Sequence, residues 1–142
     1  MLLIQEIEKA LYAKYLLSTL WTVDGINFYL NHAPNSKNYP IICVNYISSN
    51  NSMAMINPTT KPSGWDYVDS RFQFSIFGND KQYTQIVDIQ NRLENLFHRQ
   101  SLTLGNDCTC IAVISLNQGT KFWDERLKIW HISNDFRIIA GR

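Results

Sequence analysis

The residues with the clearest potential for metal chemistry are two neighbouring cysteines, Cys108 and Cys110. Structural zinc sites use a longer spacing between paired cysteines and a second ligand pair, and no second pair lies close in this sequence. Alternate residues of a strand share a face, so both thiols would pack on one side as small hydrophobic groups. With Cys43 the chain has only three cysteines, which do not form a disulfide framework. We therefore predict no metal site and a protein made in a reducing cytoplasm.

Three histidines are isolated from one another in the sequence. His32 lies in a predicted loop, His98 at a predicted helix end and His131 in a predicted strand. His98 and the adjacent Arg99 are the kind of residues that complement the dipole at a helix C-terminus. The chain has no nucleophile elbow, no carboxylate pair spaced with a histidine for metal binding, and no glycine-rich phosphate loop. We predict no catalytic residues and no cofactor, and an enzyme built from dispersed residues is the least favoured alternative.

Four charged residues of alternating sign surround the last predicted hairpin: Asp124, Glu125, Arg126 and Lys128. The favoured interpretation is a solvated face. The alternative is a set of complementary charges across a subunit boundary, where they would fix register more than affinity. The net charge of the chain is +1, which argues against affinity gained by neutralising many phosphates.

Composition indicates one ordinary globular domain. The chain has 142 residues, of which 45% are hydrophobic and 18% charged, and its 13% aromatic content is high enough to supply an interface. Glu6 and Glu8 in the first turns are inconsistent with a signal peptide. No stretch approaches the roughly 20 apolar residues that span a bilayer, so we expect no membrane step.

A strand followed by a helix forms the centre of the predicted fold. Apolar residues alternate with polar ones through Phe72, Phe74 and Ile76, the pattern of a half-buried strand. Asn79 or Asp80 is placed to N-cap a helix that begins at Lys81. That helix carries an apolar stripe: Ile86, Ile89, Leu93, Leu96 and Phe97. We expect Phe74 to be buried between sheet and helix, in contact with Leu93 or its stripe neighbours.

The chain before this unit contains a helix over Leu2–Trp21, in which Leu3, Ile4, Ile7, Ala10, Leu11 and Leu20 form the apolar side. Tyr12 and Leu16 fall on another side, where they are either scattered surface residues or a contact with a second subunit. A short strand over Ile26–Leu30 follows, and a firmer one begins at Pro40. Ser48–Gly64 is predicted to be a loop that projects and orders on contact with a partner, through three apolar residues: Met53, Met55 and Ile56.

Two further strands close the predicted chain. Thr109–Leu116 places four residues on one face: Cys110, Ala112, Ile114 and Leu116. A turn at Asn117–Gly119 leads to a strand over Arg126–Ile139, with a bulge or kink at Asn134-Asp135. This order of elements favours an α+β fold, a mostly antiparallel β-sheet with two α-helices packed on one face.

In the order of its elements and in several local stretches, the chain resembles a known family, the tail terminators of long-tailed bacteriophages. These are also called tail completion or head–tail joining proteins. The resemblance covers nearly the whole chain as a single domain, residues 1–142. It lies in the early helix Ile7–Leu20, the Asn31-His-Ala-Pro34 and Tyr39–Val44 stretches, the Phe72–Phe77 strand feeding a helix after Gly78-Asn79-Asp80, and the late Trp130–Ile138 strand.

The resemblance implies a structural virion protein without catalysis or cofactor. It would form a homo-oligomeric ring, often a hexamer, that caps the tail tube, ends its polymerisation and joins the head. Its partners would be its own copies, the tail tube protein and head–tail connector proteins, with DNA passing through the ring without specific binding. It would be located in the tail or neck of the virion, after assembly in the host cytoplasm.

Two alternatives stay open at this point. One is a head–tail connector adaptor of the same particle, since neck proteins share this size and fold. The other is a small cytoplasmic ligand- or peptide-binding module that uses its aromatic residues to line a pocket. The mass of the protein in solution separates a ring from a monomeric binding module.

Overall fold

The computed structural model describes residues 2–34, 38–51, 67–119 and 121–141. In chain order its elements are α1 (Leu2–Leu16), α2 (Thr19–Thr22), β1 (Asn27–Leu30), β2 (Ile41–Asn51), β3 (Tyr67–Asn79), α3 (Tyr83–Phe97), β4 (Thr109–Gln118), β5 (Phe122–Asp124) and β6 (Ile129–Gly141). Among the described residues, no helix combines the length and the apolar character that crossing a membrane requires.

The strands form one sheet in the order β1-β2-β3-β6-β4, and β5 pairs with β6 alongside β4. Of the pairings between these strands, β1–β2 is parallel and the others are antiparallel. The predicted α+β class with a mostly antiparallel sheet is therefore confirmed. The long β3–β6 pair runs in unbroken register from Tyr67 opposite Gly141 to Asn79 opposite Ile129.

The core lies between the sheet and its helices. Phe74 is fully buried, and its ring centroid lies 5.3 Å from that of Phe97 and 4.8 Å from that of Phe136. Because Phe97 belongs to the apolar stripe of α3, the predicted strand–helix contact is confirmed. Phe28 of β1 joins the same cluster, stacked on Tyr15 of α1 at 4.4 Å.

The turn before α3 differs from the prediction. The helix begins at Tyr83 rather than Lys81, and neither Asn79 nor Asp80 is its N-cap. Asn79 instead ends β3, where its Oδ1 accepts a hydrogen bond from the Lys81 N–H at 3.0 Å, and its own N–H donates to Gln82 Oε1. A Cβ at Gly78 would lie 2.6 Å from Ile86, so glycine allows the first turn of α3 to approach the strand.

The predicted helix Leu2–Trp21 is also wrong at its C-terminus. α1 ends at Leu16, and Ser18 adopts extended dihedrals before the short α2. The Ser18 hydroxyl donates to the Tyr15 carbonyl oxygen at 2.6 Å, a local bond that competes with helix continuation.

β2 continues past the predicted boundary of the central loop. Ser48–Asn51 pair with Ser70 and neighbouring residues of β3, so the prediction of a loop from Ser48 is wrong at its start. The strand reaches this length through a bulge between Tyr46 and Ser48, which restores alternation after one extra residue. The rest of the predicted loop lies outside the described residues.

β4 faces the core differently from the prediction, because bulges interrupt it between Cys110 and Ala112 and between Ser115 and Asn117. Cys110 packs against the core and Val113 is buried in it, whereas Ile111 and Leu116 are exposed. A single face shared by Cys110, Ala112, Ile114 and Leu116 is therefore wrong.

The ends of the last two strands are shifted as well. Asn117 and Gln118 belong to β4 rather than to a turn, and Arg126-Leu127-Lys128 form a turn before β6 begins at Ile129. The predicted bulge at Asn134-Asp135 is wrong, since both residues pair regularly with β3. The irregularity lies opposite them, in β4.

Candidate assembly surfaces

The corner between α1 and α2 exposes a group of large apolar side chains. Leu17 is 85% exposed, Val23 75%, Tyr12 41% and Trp21 40%. Leu16, the last residue of α1, is half-buried. We call these five residues the corner surface. Exposed apolar side chains this close in the sequence are a candidate site for contact with another molecule.

The corner surface is held rigidly against the rest of the fold. The Tyr15 hydroxyl donates to the Ile26 carbonyl oxygen at 2.5 Å, and its burial raises the pKa of Tyr15. Arg92 of α3 donates to Asp24 Oδ2 at 2.6 Å and to Thr19 Oγ1 at 2.8 Å, and the bond with Asp24 is the main reason that the pKa of Arg92 is raised. Two helices and the start of the sheet therefore fix the corner before any partner binds.

The β5–β6 hairpin gathers the four predicted charges at its tip. Asp124 Oδ1 accepts a hydrogen bond from the Leu127 N–H at 2.9 Å, which closes the turn. Glu125 pairs with Lys128 and accepts from Trp123 Nε1 at 2.7 Å; the contact with Lys128 is the main reason that its pKa is lowered. Arg126 is exposed. Three of the four charges therefore make bonds within the hairpin, and their contact with another subunit stays a prediction.

Aromatic rings support this hairpin on both sides of the sheet. Trp130 packs against Trp123 at 5.3 Å and against Tyr83 at 4.8 Å between ring centroids. On the outer face, His131 is stacked on Phe77 at 4.5 Å and meets Phe122 edge-on at 4.8 Å. Burial lowers the pKa of His131, so the imidazole is favoured in its neutral form.

Exposed aliphatic residues occur where the strands bulge. Ile47, Ile111 and Leu116 are each 40% exposed or more, and each lies at a register shift in β2 or β4. A bulge changes the direction in which its side chain points. The bulges at Ile47 and Leu116 lie on opposite sides of the paired Phe72 and Phe136, at the same level of the sheet.

The described residues contain no cluster that could hold a metal ion. Cys108 and Cys110 both pack with the core as predicted for small hydrophobic groups, although Cys108 precedes β4 rather than lying on it. Cys43 is buried on the other side of the sheet, and that burial raises the pKa of its thiol. His32 is exposed, and Met53, Met55 and Ile56 lie outside the described residues.

Several of these features escaped the sequence analysis. Leu17 and Trp21 were hidden because the predicted helix extended through them, while Ser18 was the available sign of its end. His98 was assigned to the helix dipole, yet its Nδ1 accepts a hydrogen bond from the Ser115 N–H at 2.9 Å. That contact joins residues 17 positions apart, and no local pattern in the sequence predicts it.

Comparison with known proteins rests on structure alone. No protein-family model matches the chain, and no curated protein matches it. A chain in the virion of a native gene transfer agent particle is similar, with a TM-score of 0.73 at 11% identity, over 98% of this chain and 97% of that chain. A second solved chain has a TM-score of 0.57 at 11% identity, over 95% of this chain and 94% of that chain. The chain thus shares its fold, over almost its entire length, with a chain found in a virion.

Proposed function

We propose that this chain is a structural protein of a virion, and that its copies form a ring at the end of a tail tube. The observation that carries the proposal is the likeness to a chain of the gene transfer agent virion, which spans both chains almost completely. The resemblance to tail terminators, drawn from the sequence, supports the same role. In that role the protein ends tail polymerisation and provides the surface for head–tail joining.

The corner surface supports assembly as the way in which the protein acts. A ring requires heterologous contacts, in which two different patches of each subunit meet. The corner surface supplies one apolar patch, and the β5–β6 hairpin supplies a second with Phe122 and Leu127 exposed among charges. Apolar anchors surrounded by charged groups are the usual composition of an interface.

The ring is tested by changing Leu17 to Asp. Leu17 is 85% exposed, so the change spares the fold but places an unpaired charge in an apolar contact. We expect wild-type rings in electron micrographs and a folded monomer for Leu17→Asp, with unchanged circular dichroism. Gln5→Asp adds the same charge at another exposed position of α1 and should leave the ring intact.

Two outcomes would contradict this proposal at different levels. Rings formed equally by Leu17→Asp would exclude the corner surface as the contact. A wild-type protein that stays monomeric at high concentration and in the presence of tail tubes would contradict the proposal that the protein forms a ring. Particles lacking the protein distinguish the terminator from a neighbouring neck adaptor, because only loss of a terminator gives tails of uncontrolled length.

A further inference from the structure

β4 lies at one edge of the sheet, where a strand normally has unpaired backbone groups on its outer side. β4 runs for 10 residues, whereas β1 at the opposite edge has only 4. A long exposed edge is a template for another chain to add a strand, and natural proteins usually cover it or interrupt it. β4 is therefore the edge at which uncontrolled self-association is expected.

Two backbone groups in the middle of this edge are already bound by the segment that follows α3. The Arg99 N–H donates to the Val113 carbonyl oxygen at 2.8 Å. The Ser115 N–H donates to His98 Nδ1 at 2.9 Å. Alternate residues of an antiparallel edge strand turn their N–H and C=O groups away from the partner strand. Val113 and Ser115 are such a pair, and an added strand would need both of these groups.

The segment that makes these bonds is held firmly in place. Phe97, the last residue of α3, is fully buried, and the His98 N–H donates to the Glu94 carbonyl oxygen at 2.8 Å. Arg99 has a φ of 58°, in the left-handed region that a residue with a side chain seldom adopts. The turn at Arg99 brings the Arg99 N–H to β4. The unfavourable backbone conformation of Arg99 is therefore maintained at the point where this segment covers the edge of β4.

We propose that His98 and Arg99 form an edge guard, which closes β4 to strand addition by a second copy of this chain. His98 acts through its imidazole, whose Nδ1 must be unprotonated to accept the Ser115 N–H. Given the proposed ring, the guard explains how copies meet through side-chain surfaces and do not continue the sheet without limit. A second copy that pairs its opposite edge, β1, with β4 makes a heterologous contact, and such contacts build fibres when their rotation does not close a ring.

The guard is tested with two substitutions at the same position. His98→Phe keeps a planar ring but has no acceptor, whereas His98→Asn keeps an acceptor near the position of Nδ1. We expect hydrogen exchange of the Ser115 amide to accelerate about tenfold in His98→Phe, as for the loss of one hydrogen bond. His98→Asn should exchange at the wild-type rate.

Self-association provides a second readout. His98→Phe should form fibres at concentrations where wild-type and His98→Asn proteins do not, detected by electron microscopy and sedimentation. Adding Ser115→Pro to His98→Phe removes the donor that a new strand would need, and should abolish the fibres. Fibres report on the guard and rings on the proposed function, so each can fail separately. Unchanged Ser115 exchange in His98→Phe, or fibres that persist in the double variant, would overturn the guard.

Discussion

The two faces of the sheet bury their side chains by different means. On the face covered by α1 and α3, Phe72, Phe74 and Phe136 are fully buried and pack against apolar residues of the helices. On the outer face, Asp69 and Arg137 form a two-oxygen contact, with Arg137 Nε 2.8 Å from Oδ1 and 3.0 Å from Oδ2. Alternation along β3 and β6 therefore separates a hydrophobic layer from a polar one.

This difference indicates where stability and assembly reside. Burial of apolar area is the main favourable term in folding, so the covered face holds the chain together. The outer face and the exposed corner surface can change without loss of the core, and this leaves them available for contacts. The contrast holds only if equivalent substitutions on the two faces have unequal effects.

The largest expected difference is between two phenylalanines on opposite faces of β3. Phe74→Ala should lower the free energy of unfolding by about 3–5 kcal/mol, because it leaves a cavity under α3. Phe77→Ala, on the half-buried outer face, should cost clearly less, since solvent already reaches that ring. Denaturant unfolding of both variants measures the two values. Equal losses would remove the distinction between the faces.

The covered face was largely predictable from the sequence, and the outer features were not. Alternation through Phe72, Phe74 and Ile76 and the stripe of α3 depend on local periodicity, which the structure preserves. The faces of β4 could not be predicted, because each bulge shifts the register and leaves no mark in the hydrophobic pattern. The corner surface could not be predicted because its exposure depends on where α1 ends. The ends of helices and strands are the least reliable part of such predictions.

One polar pair interrupts the covered face and gives the second prediction. Gln90 of α3 donates to Asn134 Oδ1 of β6 at 2.7 Å, and both side chains are buried. The Asn134 Nδ2 is buried without a partner among the described residues. Gln90→Ala would also leave Asn134 Oδ1 without its donor, which should lower the free energy of unfolding by about 1–3 kcal/mol. Gln85→Ala, at an exposed position of the same helix, should be nearly neutral in the same thermal unfolding assay.

The Asp69–Arg137 ion pair on the outer face should contribute less to the stability of the fold than the buried Gln90–Asn134 pair. The Arg137 side chain is 44% exposed, so solvent screens its attraction to Asp69. Arg137→Met should lower the melting temperature less than Gln90→Ala does, and the difference from wild type should shrink in high salt. A loss as large as that of Gln90→Ala, unaffected by salt, would mean that the outer face is covered.

The smallest effect at neutral pH is expected at His131, and it should appear only on acidification. The Nε2 of His131 is buried without a partner among the described residues, and burial lowers the pKa of this imidazole. In the unfolded chain its pKa returns to about 6.5. Below that value the unfolded state binds more protons than the folded state, so acid favours unfolding. His131 therefore contributes its full stability above about pH 6.5 and loses it progressively as the pH falls.

His131→Phe isolates this contribution, because it keeps an aromatic ring between Phe77 and Phe122 but cannot be protonated. The free energy of unfolding should fall less steeply from about pH 7 to about pH 5.5 in His131→Phe than in the wild type. If His131→Phe showed the same slope as the wild type, the imidazole would be equally accessible to protons in the folded and unfolded states. The aromatic end of the outer face would then be as open to solvent as its ion pair, and the sheet would have a single buried side.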